Sequence, residues 1–141
     1  MSGDPDSGAL APDIELQARA GAALGLYDID VRVDNDRSLR FEHQGVLCSL
    51  SAFSLAPGLD VLSMTCVLAW DRPLKPQLHK RVAERNTSLQ FGSISVIPHD
   101  KLADVILRYT FPAAGLDDQA LTTMLLLVLG GAGEARQGLL P

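Results

Sequence analysis

Hydrophobic and polar positions along the chain change period several times, and each change marks an element. Residues 12 to 24 read as a helix, with Pro12 near its start and Gly25 just past its end. Its Ala18, Ala20, Gly21, Ala22 and Ala23 permit close approach to whatever it packs on. Ile29, Val31 and Val33 then alternate with Asp30, Arg32 and Asp34, and the alternation resumes at Leu39 and Phe41 beyond the turn residues Asn35 and Asp36. That pattern predicts paired strands. A third apolar run, 46 to 53, ends before a Pro57-Gly58 turn, and 61 to 70 follows as the longest strand. Leu62, Met64, Cys66 and Leu68 form one face of it, Ser63 and Thr65 the other.

Pro73 and Pro76 set the start of a second helix between Asp71 and Pro76, because proline is tolerated only where the backbone N–H has no helical partner. Leu74, Leu78, Val82 and Leu89 give this helix its apolar stripe. Residues 91 to 97 and 103 to 111 read as strands joined by a short turn from Pro98 to Lys101, an antiparallel hairpin. The last helix begins at Asp117, whose carboxylate is suited to cap a free N–H, with Leu116 placed to staple onto Leu121. The predicted fold is α+β, a single domain of order α-β-β-β(-β)-α-β-β-α, in which a mainly antiparallel sheet packs against helices. It spans 12 to 136, between a disordered lead at 1 to 11 and a tail at 137 to 141.

The last helix has no polar side. Leu121, Met124, Leu125, Val128 and Leu129 make one stripe, yet Leu126 and Leu127 point elsewhere. A helix apolar around most of its circumference is buried on more than one side, and a second chain is the natural cover. A two-fold dimer is therefore expected, through Leu126 and Leu127 or through the strand face carrying Ile106 and Arg108.

Composition narrows the function classes. The chain has 141 residues, enough for one domain with a sizeable core, and its 47% hydrophobic content is that of a folded protein. A net charge of -5 argues against a nucleic-acid partner, which calls for surplus lysine and arginine. The first residues lack the basic and apolar regions of a targeting peptide, and the apolar run ending at Leu129 meets Gly130 and Gly131 well before membrane-spanning length. A cytoplasmic protein without membrane insertion is expected, with Cys48 and Cys66 reduced and serving as small buried hydrophobes.

Candidate chemistry is sparse. Asp34 and Asp36 suggest a calcium loop, but Leu39 stands where the sharp turn needs glycine and Gly45 where a bidentate glutamate is needed. Ser95, His99 and Asp100 are triad residue types crowded at one strand end, without the elbow that exposes a nucleophile. His43, His79 and His99 are widely spaced, so neither metal nor cofactor is expected and the protein reads as no enzyme. Arg72, Lys75, Lys80, Arg81 and Arg85 read as a solvated face of the second helix, and Asn86 as a partner for nearby backbone groups.

The segments LHKRVAERNTSLQFGSISV and DVILRYTFPAAGLDDQALTTMLLLVL, with the element order over 12 to 136, resemble the type III secretion chaperone family (the CesT or SycE kind) and the related YbjN-type domains. In that pattern the second helix closes on an asparagine, here Asn86, before a strand of small and apolar residues. The resemblance implies a homodimer that holds an extended segment of a protein client, a secreted effector, against apolar patches and sheet edges. In its YbjN-type form it implies a regulatory or stress-related protein-binding domain without a dedicated effector. Residues left over once the core face of each strand is assigned are Leu47, Phe53, Leu55, Val61 and Val67, and these are the expected client contacts, with a place in the core the alternative for each where both strand faces carry apolar groups.

Overall fold

The protein is described by a computed structural model covering residues 11–139. The expected lead, apart from Ala11, and the last two residues of the expected tail lie outside the described residues. The elements run α1 (Pro12–Gly25), β1 (Arg32–Val33), β2 (Leu39–His43), β3 (Val46–Ala56), β4 (Leu59–Pro73), α2 (Pro76–Ser88), β5 (Ser93–His99), β6 (Leu102–Pro112) and α3 (Asp118–Gln137). All strand pairs are antiparallel, in the order β1-β2-β3-β4-β6-β5. This is the predicted α+β class and element order.

Local chemistry accounts for the boundaries. Asp117 caps α3, its carboxylate accepting the Ala120 N–H at 2.8 Å. Gln44 and Gly45, both at positive φ, close the two-residue turn between β2 and β3. Pro57-Gly58 joins β3 to β4 with Gly58 at φ 80°, the conformation a type II turn requires at its third position. That turn fits the twist of a hairpin poorly, and the ladder answers by shifting register between Ser54 and Ala56, which leaves Leu55 as the extra residue.

One strand differs from expectation. The alternation from Ile29 to Val33 yields only the two-residue β1. Asp28 sits at φ 60°, and the Ile29 N–H donates to Leu24 O, so Ile29 belongs to the exit of α1 and is buried there. The helix exit has taken the apolar residue that would have begun the strand.

Alternation holds along the central strands. Val46, Cys48 and Leu50 of β3, Leu62, Met64 and Cys66 of β4, and Ala103, Val105 and Leu107 of β6 join one core. Leu16, Ala20 and Leu24 of α1, Leu78 and Val82 of α2, and Leu121, Leu125, Val128 and Leu129 of α3 complete it. All three helices therefore cover the same face of the sheet. α3 continues through Gly130, Gly131 and Gly133, each of which costs about 1 kcal/mol against alanine in a helix interior. Cations gather at its negative end: Arg72 Nη2 donates to Leu139 O at 3.2 Å, and the Arg85 guanidinium fills the space beside the Gly138 Cα. Leu139, within the expected tail, is buried.

Gly92, leading into β5, has φ 91°, and a Cβ there would lie 3.0 Å from Arg108 O and 3.2 Å from a Leu107 methyl. Gly92→Ala is expected to destabilise the fold by about 1–3 kcal/mol, seen as a lower urea midpoint. An unchanged midpoint would show that the backbone relaxes at no cost.

Candidate functional site

Because the described helices all lie on one side, the other face of the sheet is open among the described residues, and its side chains form rows set by register. Leu47, Val67 and Ile106 are cross-strand neighbours on β3, β4 and β6, and the row ends at Ser95 of β5. The next row is Ser49, Thr65, Arg108 and Ser93. Ser51, Ser63 and Thr110 follow, with Thr110 Oγ1 donating to Ser63 Oγ at 2.9 Å. Phe53, Val61 and Pro112 close the face. Two apolar rows thus enclose two hydroxyl rows. On β2, Arg40 is paired to Asp34 at 3.0 Å, whereas Arg108 meets no carboxylate within 4.0 Å among the described residues.

The structure unites two sets of residues that the sequence left separate. Leu47, Phe53 and Val67, expected as client contacts, share this face with Ile106 and Arg108, expected at a dimer interface. Phe53 is 49% exposed and Leu47 38%. Val61 is a correction: it is only 3% exposed, because it lies mid-sheet between Phe53 and Pro112, which cover it. It joins neither the helix-covered core nor any exposed patch. Leu55 sits in the bulge at the hairpin tip, exposed beside Phe53 and Leu59.

Leu126 and Leu127 lie on the helix side, away from Ile106 and Arg108. Leu126 is half-buried, and Leu127 is 46% exposed. Leu127 lines an open groove of about 310 Å³ with Arg85, Leu89, Phe91, Gly130 and Gly131. The expected dimer residues are thus split between opposite sides of the molecule.

Both edges of the sheet are blunted. The Asn86 side chain accepts the Ile94 N–H at 2.8 Å and donates to Ile94 O at 3.0 Å, so one amide does for β5 what a neighbouring strand would do. Pro98 removes a further donor from that strand. At the other edge, β1 offers only two residues. The face, not the edge, is the accessible part of this sheet.

The remaining candidates resolve by contact. His99 turns from Ser95 and Asp100 towards Asp104 and Asp71, its Nε2 lying 3.1 Å from Asp104 Oδ1 and 3.2 Å from Asp71 Oδ1. The hydrogen bond to Asp104 raises the imidazole above its usual range, aided by the nearby carboxylates. Asp104 is lowered, first by the Asp71 N–H and then by His99. Asp34 and Asp36 act in a turn: Asp34 accepts the Asn35 N–H, and Asp36 accepts the Ser38 N–H and hydroxyl, which hold its carboxyl below the usual range.

Sequence reading missed one pair. Cys48 and Cys66 stand directly opposite on β3 and β4, both buried, with sulfurs 3.5 Å apart. Contact with Cys66 and burial push the Cys48 thiol far up, which makes it a poor nucleophile. The signal was present, since a hairpin turning at Pro57-Gly58 sets position 48 against 66 or 67.

No family model matches the chain, and no curated protein matches it in sequence. Among solved structures it is similar to the crystal structure of YbjN from E. coli, described there as a candidate transcription regulator. The TM-score is 0.60 over 82% of this chain and 84% of that one, at 12% identity. At that identity the likeness is one of fold. It bears out the YbjN-like fold and adds nothing to the secretion-chaperone side of the resemblance.

Asn86→Ala leaves the Ile94 N–H and C=O without their partner, so stability should fall by about 1–3 kcal/mol. Hydrogen exchange at the Ile94 amide should quicken more than at Leu107, its partner in β6. Equal effects at both would contradict the edge-capping role.

Proposed function

We propose that this protein is a non-catalytic, YbjN-type protein-binding module, cytoplasmic and homodimeric, that takes its partner on the open face of the sheet. The observation that carries this reading is the pair of apolar rows enclosing two hydroxyl rows on the face that no described helix covers. The hydroxyls keep the face soluble when empty, and Leu47, Val67, Ile106 and Phe53 supply area to bury when it is filled. A regulatory role then runs through protein contacts, in keeping with a net charge of -5 that disfavours direct binding to nucleic acid.

Non-catalytic use is supported by the scatter of the reactive groups. Among the described residues, Ser95 makes no bond to His99, and the paired thiols are buried. The dimer is assigned to the helix side, where Leu127 and the glycines of α3 allow a second helix to approach closely, leaving the open face free for the partner.

A type III secretion chaperone that holds an extended effector segment is the second reading. It is favoured by the hairpin tip, where Phe53, Leu55 and Leu59 are all exposed. The blunted edges weigh against strand addition as its means of capture.

In light scattering the wild type should give about twice the chain mass of 15.1 kDa, and Leu127→Glu should give the single-chain mass. Phe53→Asp and Leu47→Asp should leave the dimer intact and cost about 1–2 kcal/mol of unfolding free energy, because Phe53 covers Val61 and Leu47 stands opposite Glu42. A photo-crosslinker at position 53 should capture a discrete partner in cells, lost with Arg108→Glu, while one at the exposed Thr87 should not. Capture at both positions alike, or a monomeric wild type, would overturn the corresponding half of the assignment.

A further inference from the structure

At one end of the open face, three side chains from three strands converge on a point that the sheet itself does not explain. Asp71 comes from the irregular end of β4, where the ladder to β6 shifts register between Ala69 and Arg72. His99 closes β5, and Asp104 lies on β6 two residues from Ile106. One donor atom from each, a carboxylate oxygen of Asp71 and of Asp104 and a ring nitrogen of His99, lies within 4.8 Å of the others.

The spacing is that of a coordination sphere. A tetrahedral site with metal–ligand bonds near 2.1 Å places its donor atoms about 3.4 Å apart. Here Nε2 stands 3.2 Å from Asp71 Oδ1 and 3.1 Å from Asp104 Oδ1, close to that spacing, and all three donors lie within 4.8 Å of one another.

Internal contacts leave the Asp71 carboxylate to solvent. Asp104 Oδ1 has both the His99 ring and the Asp71 N–H as partners. Asp71 Oδ1 approaches the same Nε2 but makes no hydrogen bond with it. A single ring nitrogen carries at most one proton, and here it faces two carboxylates. Among the described residues no lysine or arginine nitrogen comes within 4.0 Å of either acid, and Asp100 adds a further negative charge close by. An ion at the centre would satisfy both carboxylates and the ring at once.

The geometry points to a divalent cation site formed by Asp71, His99 and Asp104. One imidazole and two carboxylates suit a first-row transition ion, of which zinc is the natural probe, because the ring nitrogen is a poor ligand for calcium or magnesium. The side chains are 65%, 42% and 22% exposed in chain order, so the remaining coordination position is open to water or to an incoming group. Nothing in the site depends on the open face being a docking surface.

Titration of the full chain with zinc sulfate, followed by calorimetry, should give one saturable site. His99→Ala and Asp104→Asn should each weaken it at least tenfold, about the scale reached even by changes outside the ligand shell. His79→Ala, on the exposed face of α2, should leave it unchanged. Should a variant fail to fold, wild-type imidazole resonances decide: zinc must shift His99 and not His43 or His79. No saturable binding, equal loss in His79→Ala, or displacement of zinc by equimolar calcium would overturn the site.

Discussion

One-sided cover of the sheet is the constraint on which the rest of the molecule depends. A sheet of six strands needs its apolar positions on a single parity if helices are to pack on one face only, and β3, β4 and β6 comply at nearly every position. The same constraint explains α3. Its apolar residues are divided among the sheet beneath, α1 beside it and Leu89 beyond α2, so most of its circumference is covered within its own domain. An apolar helix needs several neighbours, and here most of them belong to the same chain. Leu127 is the residue left over.

A sheet with one bare face and two edges is exposed to uncontrolled pairing, and the chain limits this with local chemistry. The amide of Asn86 occupies the backbone of Ile94, Pro98 removes a donor, and β1 stops after two residues. On the face, rows of serine and threonine separate the apolar rows, so apolar area is never continuous across it. What remains accessible favours a partner that matches a particular pattern over one that is merely apolar.

Much of this was legible in the sequence. The element order followed from period changes and from proline and glycine positions, and Asp117 was readable as the cap of α3. Asn86 was readable as a backbone partner, though not as the cap of a strand edge. Failures came where information is not local. Val61 and Leu47 share a parity, yet Val61 is buried because its cross-strand neighbours are Phe53 and Pro112, which only register reveals. Asp71 and Asp104 are 33 residues apart, and a bulge in β4 brings them together with His99. Ile29 was lost to the exit of α1, since alternation cannot tell a strand from a chain leaving a helix through a left-handed residue.

Arg108 bears on which partner the open face fits. It stands in a hydroxyl row, without a carboxylate near it, in a chain whose net charge is -5. A second copy docked face to face must be related by a dyad lying in the interface. A dyad through Arg108 sets it against its own copy, and a dyad running between β3 and β4 sets it over Arg40 of the copy, since those residues flank the same row. The first arrangement brings two unpaired cations together where water is being excluded, which is costly, while in the second Asp34 beside Arg40 offsets part of that cost. A partner of different sequence carries no such restriction, and a carboxylate flanked by apolar groups answers the pattern of this face directly. On the proposed reading, self-association is then better accommodated on the helix side, at Leu127, which leaves the open face to the proposed partner.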